Sequence, residues 1–263
     1  MNNEKSEFRY LYKYRAIDEN TKRIITDNEL FFNNPEKFND PYDCNIPIEN
    51  NPSEEDVKKH MMEQLPDSSE EELAQDVKKI KSDPNYVSRT VQQYLHKNCG
   101  ICCFSTLYDS ILMWSHYADY HKGICFKFDT NKDPDFFRII LPVHYSQILP
   151  RFDLFTCDGR VFEKLVQTKY AVWSYESEIR IFKGKKDLQN NMKNKKTADD
   201  ELERVFKFKS EALEEIIFGE KTSDEDIKII KKLCEKSGKE HVKFSRMKLV
   251  DGIHYGLERV DLN

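Results

Sequence analysis

Gly100-Ile-Cys-Cys-Phe-Ser-Thr106 runs without a charge and without a helical period. An apolar run this short reads as a buried strand, which commits the chain to a sheet with cover. Other segments carry strand patterns around it. Residues 8–15 largely alternate bulky apolar with basic side chains, and Ile124-Cys-Phe-Lys-Phe128 alternates again. Residues 30–32, 143–145, 173–183, 216–218 and 241–249 read as further strands. Asp109 is placed to cap a helix that runs through Asp119, residues 159–172 read as a helix, and Ser223-Asp-Glu-Asp opens the clearest helix, closing near Gly238. Strands separated by helices of uneven length, with hairpin-like pairs, predict an α+β fold with a mixed, mostly antiparallel sheet.

Residues 53–98 change character. Ser53-Glu-Glu-Asp and Ser68-Ser-Glu-Glu-Glu each supply an N-cap and an acidic first turn, followed by sparse apolar residues at helical spacing. Two or three surface helices are expected there, with a break at Asp83-Pro84, as an insertion in a single domain of 263 residues. This insertion could cover a pocket, or bind a partner protein or a second copy. The 33–43 loop, with Pro35 and Pro41 among repeated Asn and Asp, is forced to turn. Residues 185–196, rich in Lys and Asn, read as a mobile loop.

Charged residues make up 34% of the chain but sum to only −5, which argues against coating nucleic acid by positive charge alone. The opening Met1-Asn-Asn-Glu-Lys holds no signal-like apolar stretch, and no run is apolar enough to span a bilayer. The 7 cysteines are odd in number and include the adjacent Cys102 and Cys103, unlike a secreted disulfide framework. A cytoplasmic protein with reduced thiols is expected.

The 173–180 segment, Trp-Ser-Tyr-Glu-Ser-Glu-Ile-Arg, is the first candidate for chemistry. On a strand, Glu176, Glu178 and Arg180 would share one face, and Trp173, Tyr175, Ile179 and Ile181 the core face. Two carboxylates set about 7 Å apart beside an arginine could hold one as a base or oxocarbenium stabiliser. An Arg–Glu pair on a solvated face is the plain alternative. The second candidate is 114–123, Trp-Ser-His-Tyr-Ala-Asp-Tyr-His-Lys-Gly, with Gly123 suited to positive φ. His116 and His121 lie five apart, off the i, i+4 spacing of a helical metal pair, so no metal is expected there. His96, Cys99, Cys102 and Cys103 imitate zinc spacing, but the last two sit in the apolar strand and no second pair follows. No phosphate-cradling glycine loop is present among the 8 glycines.

The chain resembles a bacterial domain-of-unknown-function family, number 2971. The motifs that carry the likeness occur in order from about residue 8 to 250: Leu11-Tyr-Lys-Tyr14, Leu30-Phe-Phe-x-x-Pro35, Phe38-Asn-Asp-Pro-Tyr-Asp43, Cys103-Phe-Ser105, Leu112-Met-Trp-Ser-His-Tyr-Ala118, His121-Lys-Gly123 and Lys169 through Arg180. A second resemblance is to ADP-ribosyltransferases of the arginine–serine–glutamate type, through Arg15, Ser105-Thr106 and Glu176-Ser-Glu178 in that order. Leu107 stands where that family's third signature residue would be. This likeness implies a split sheet and NAD as substrate, consumed by an ADP-ribosyltransferase or an NAD glycohydrolase-like enzyme. It implies that Arg15 holds a phosphate, Ser105 braces the nicotinamide ribose, Glu178 stabilises the oxocarbenium ion, and Glu176 activates an acceptor in protein or nucleic acid. It also places Thr106, Trp114, His116, Tyr117 and Arg180 around the cofactor, in a toxin or phage-defence setting.

Two other classes remain open at this point. One is a metal-dependent hydrolase or nuclease using Asp40, Asp43, His116, Glu176 and Glu178, which requires the 39–43 loop to approach the glutamates. The other is a non-catalytic binding or regulatory domain in which the motifs serve the fold.

Overall fold

The computed structural model describes residues 7–45, 47–49, 53, 55, 59, 69–83, 85–150, 152–153, 161–193 and 204–262. Its strands, in chain order, are β1 (Tyr10–Arg15), β2 (Glu29–Phe31), β3 (Ile48–Glu49), β4 (Gly100–Ser105), β5 (Ile124–Asp129), β6 (Ile140–Pro142), β7 (His144–Ser146), β8 (Phe152–Asp153), β9 (Thr168–Tyr170), β10 (Glu178–Lys183), β11 (Val205–Lys207), β12 (Leu213–Phe218), β13 (Lys243–Leu249) and β14 (Leu257–Asp261). The fold is α+β. The chain groups into two compact units, the first of Met1–Asn33, Gly100–Val143 and Val172–Asn263, the second of Asn34–Cys99 and His144–Ala171. The helices expected as an insertion at 53–98 are thus part of a larger unit that recruits 144–171.

The first unit is built on one continuous eight-stranded sheet, ordered β14-β13-β12-β5-β1-β4-β10-β6, rather than a split one. Its pairs are antiparallel except β12 with β13, which run parallel. One face carries the main core: Leu11, Phe104, Phe126, Phe128, Ile179, Ile181, Ile216 and Phe218 pack with Ile24, Ile25, Ile227 and Ile230 from the helices Glu19–Thr26 and Asp224–Lys236. Burying each such side chain contributes about 1.5–3 kcal/mol. The other face carries Tyr12, Tyr14, Cys125, Ile217 and Met247, covered by Met113 and Trp114 of the helix Ile111–Tyr117.

Several elements match the sequence pattern. The Asp224–Lys236 helix is capped by Ser223, whose hydroxyl accepts from the Asp226 amide at 3.0 Å, and Gly238 at φ +66° follows its end. Others differ. The 173–183 segment is not one strand: Ala171–Glu176 forms a 3-10 helix, Ser177 takes φ +42°, and only then does β10 begin. The cap of the 111–117 helix is Ser110, not Asp109, and the helix ends at Tyr117. The expected 159–172 helix is the short Val161–Gln167, followed by β9. The loop expected at 185–196 is a helix over Lys185–Lys193, anchored by buried Leu188 and by the Asp187 carboxylate accepting from the Gly184 amide at 3.0 Å. The charged edge strand β14 has no counterpart in the expected elements.

In the second unit the helices Glu70–Ser82 and Tyr86–Asn98 are separated at Asp83, and Ser69 with Glu72 forms a reciprocal capping box. The helix expected from Ser53 falls largely outside the described residues. Two parallel strand pairs complete this unit, β3 with β8 and β7 with β9.

Candidate functional site

The register of the sheet decides which candidates can meet. Ser105 stands opposite Tyr12 of β1 and Glu178 of β10, and Cys103 stands opposite Arg180. Directly opposed residues share a face, so Tyr12, Cys103, Ser105, Glu178 and Arg180 all lie on the face away from the main core. Arg15 is three positions along β1 from Tyr12 and so belongs to the opposite face. Its guanidinium turns to Asp18 at 3.8 Å and Thr21 at 3.4 Å, at the start of the Glu19–Thr26 helix. The structure does not bring Arg15 to Ser105 or to the glutamates.

Glu178 and Arg180 are neighbours on the same strand face, and both are buried. Arg180 Nε donates to Glu178 Oε1 at 2.9 Å and Nη2 donates to Oε2 at 3.1 Å. Each carboxylate oxygen therefore takes a guanidinium N–H, and the two opposite charges meet out of contact with water. Desolvation pushes the Cys103 thiol well above its ordinary range and the Glu178 carboxylate pushes it further, so this cysteine is not a thiolate nucleophile.

Ser105 is fully buried. Its hydroxyl donates to the Glu176 carbonyl at 2.6 Å and accepts from the Leu107 amide at 3.0 Å. The Thr106 amide donates to the Ser177 carbonyl at 3.0 Å, so the end of β4 is stitched to the 3-10 turn that leads into β10. Ser177 needs its left-handed backbone to make that junction, and it takes Glu176 out of the strand.

Glu176 is buried, with Tyr117 donating to its Oε1 at 2.5 Å. One residue back on each side, His116 Nδ1 meets the Tyr175 hydroxyl at 2.9 Å, and these rings lie edge to face with centroids 5.6 Å apart. Two successive pairs, His116–Tyr175 and Tyr117–Glu176, thus bridge the end of the 111–117 helix to the 171–176 turn. His116 is the exposed member. Trp114 is fully buried: its Nε1 donates to the Tyr108 carbonyl at 2.8 Å, Tyr14 meets it edge-on at 5.1 Å, and His121 stacks at 6.5 Å. It packs in the core and presents no face to a ligand. Tyr175, expected on a core strand face, is a member of this cluster instead, and no periodicity argument could find it because the segment is not a strand.

Gly123 does not take positive φ. Its role is close approach, since a Cβ there would sit 2.2 Å from the Arg15 carbonyl oxygen. The left-handed backbone falls on Asp119, Tyr120 and His121, at φ +45°, +53° and +70°.

Among the described residues no group of three or more His, Cys, Asp or Glu side chains is placed to hold a metal ion. Asp40 and Asp43 belong to the second unit. There the Asp40 side chain accepts from the Tyr42 amide at 2.9 Å, while buried Asp43 pairs with buried Lys169 at 3.5 Å. That ion pair joins two of the sequence motifs. The same unit contains a cavity of about 270 Å³ lined by Tyr42, 146–150 and 168–170.

Among the described residues no helix is long and apolar enough to cross a membrane. No family model matches the chain, and neither a curated protein nor a solved structure matches it significantly.

Proposed function

We propose that this chain is a binding or regulatory domain whose motif residues in the first unit hold the fold rather than carry out a reaction. The observation that carries this reading is the double hydrogen bond between Glu178 and Arg180, both buried, in which each carboxylate oxygen takes a guanidinium N–H. The glutamate that would grip a ribose has both oxygens occupied, and the arginine beside it has no outward face for a phosphate. Ser105 is spent on two backbone groups and Arg15 faces the other side of the sheet, so the arginine–serine–glutamate set for NAD chemistry is not convergent.

The test is nicotinamide release from NAD by the purified protein, with and without cell extract as acceptor. The expected result is no release by wild type, and a Glu178→Gln variant that melts at lower temperature. Release by wild type that a folded Glu178→Gln variant lacks overturns the reading.

A second reading is favoured by the Tyr117–Glu176 and His116–Tyr175 bridges. In it Glu176, not Glu178, is the carboxylate of a glycosyl transfer from NAD to a protein or nucleic-acid acceptor. Tyr117 orients it, and His116 is the exposed acid–base group. Under that reading Glu176→Gln and His116→Ala abolish nicotinamide release and Glu178→Asp retains it.

A further inference from the structure

We infer that the outer edge of β14 docks β14 of a second copy of this chain, antiparallel about a two-fold axis at Val260, so that the eight-stranded sheet continues into that of its partner. The inference goes beyond the binding reading above and is independent of it, since none of the motif residues lies on this strand.

β14 ends the sheet, and its pairing with β13 decides where its backbone groups point. At one end the Leu262 amide donates to the Phe244 carbonyl at 2.9 Å, and at the other the Val250 amide donates to the Gly256 carbonyl at 3.1 Å. In an antiparallel ladder, hydrogen-bonded and non-hydrogen-bonded pairs alternate. Val260 opposite Arg246 and Glu258 opposite Lys248 are therefore the bonded pairs, and the amides and carbonyls of Leu257, Arg259 and Asp261 point away from β13. The other edge of the sheet is blunted: β6 has three residues and ends on Pro142, which has no N–H to offer. β14 has five residues, no proline and an unbroken register against β13. Its charges, Glu258, Arg259 and Asp261, are exposed and of mixed sign. A row of one sign repels a second copy in every register, whereas a mixed row repels it in some and matches it in others.

The sequence of the strand selects the register. A two-fold axis perpendicular to the sheet places one residue opposite itself and keeps every side chain on its own face. Centred on Glu258, Arg259 or Asp261, the axis sets a charge against its own copy. Centred on Leu257, it requires residues 253–256, which belong to the connecting turn, to pair as strand. Centred on Val260, it sets valine against valine, and Arg259 of each copy against Asp261 of the other. These flanking residues are the ones whose backbone groups point outward, so each Arg259–Asp261 pair can also exchange both ladder hydrogen bonds. Arg259 and Asp261 share a face, and with their counterparts they make a square of alternating charge. The arginine is already held in place: its Nη1 donates to Glu215 Oε2 at 3.0 Å, and its guanidinium lies 5.1 Å from the centroid of the Tyr108 ring. Asp261 is exposed and makes no ion pair among the described residues. A strand this short buries less than the roughly 1,000 Å² of a permanent interface, so the dimer forms at high concentration.

The experiment is sedimentation equilibrium of the full chain from micromolar to millimolar concentration. Wild type is expected to pass from monomer to dimer across that range. Asp261→Arg sets arginine against arginine at both flanking pairs and is expected to weaken the dimer at least about tenfold. Asp261→Glu keeps the charge and is expected to retain it. Both variants, altered at an exposed side chain, should melt with wild type at the lowest concentration. The register is read by cysteine cross-linking, with the wild-type cysteines as background. Val260→Cys is expected to form an interchain disulfide under mild oxidation, because a non-hydrogen-bonded pair sets its Cα atoms about 4.5 Å apart, and Glu258→Cys is expected to form far less. A monomer at every concentration overturns the docking surface. So does a dimer indifferent to Asp261→Arg, or one cross-linked through Glu258→Cys in preference to Val260→Cys.

Discussion

Arg180 Nε and Nη2 reach Glu178 Oε1 and Oε2 at 2.9 and 3.1 Å, two residues apart on β10 and shielded from water on both sides. The consequence is an asymmetry between removing one partner and removing both. Glu178→Ala leaves a buried guanidinium without its counter-charge, a loss of about 3–5 kcal/mol. Replacing both, as Glu178→Leu with Arg180→Met, removes the two charges together and is expected to recover most of that stability. Urea unfolding of the two single variants and the double variant checks this. A double variant as unstable as the sum of the singles means the pair is not acting as an isolated unit.

Ser105 makes a second, independent contribution to the same junction. Its hydroxyl is the only side-chain group connecting the Glu176 carbonyl to the Leu107 amide among the described contacts. Ser105→Ala removes a donor and an acceptor from a fully buried position, for an expected loss of about 1–3 kcal/mol. Ser105→Cys, which keeps a weak donor, should lose less. Thermal melting with intact far-UV dichroism is the measurement. Equal stability of Ser105→Ala and wild type would show that water replaces the hydroxyl.

The strands that could be read from residues alone are those buried on both faces or on one. The apolar 100–106 run became β4, and the alternation at 124–128 became β5, because burial imposes those patterns directly. The 171–176 turn escaped because its residues mimic alternation: Trp173, Tyr175, Glu176 and Glu178 would suit a strand until Ser177 adopts a left-handed backbone. Alternation registers side-chain polarity and is blind to a single φ. The same limit applied to Arg15. Its order before Ser105 and Glu178 fits the transferase likeness, but order in the chain says nothing about which face of β1 it occupies. That depends on the Tyr12–Ser105 register, a long-range pairing. The convergence of Asp43 with Lys169 likewise spans distant segments, and only the composition of each segment hinted at it.

Gly219 and Tyr120 test two different reasons for unusual backbone. A Cβ on Gly219 would lie 2.0 Å from the His121 carbonyl oxygen, a backbone atom with no freedom to swing away. Gly219→Ala should therefore destabilise at or above the upper end of the roughly 1–3 kcal/mol typical of overpacking. Tyr120 is the middle of three successive left-handed residues and is 72% exposed, so its side chain adds little packing to offset the backbone cost. Tyr120→Gly should relieve about 1 kcal/mol of that cost, partly offset by the entropy of glycine, leaving the variant neutral or slightly stabilised. Chemical denaturation of both variants decides it. Destabilisation of Tyr120→Gly beyond about 1 kcal/mol would mean the ring is engaged by something other than this chain's own backbone geometry.

His121 supplies a pH dependence with a definite sign. Burial lowers its pKa below the ordinary histidine value of 6.5, Lys221 lowers it further, and Glu220 opposes them. Its ring stacks on Trp114 and Nε2 lies 3.1 Å from the Ser115 hydroxyl. The unfolded chain therefore takes up the proton more readily than the folded one. The stabilisation from the neutral ring is complete above the unfolded pKa and is lost as pH falls through 6.5 and then through the lower folded value. His121→Asn removes the titration while tolerating the left-handed backbone at this position. The melting temperature of wild type is expected to fall more steeply between pH 7 and pH 5 than that of His121→Asn. Parallel slopes for the two proteins would assign the acid sensitivity to other groups and remove His121 from the account.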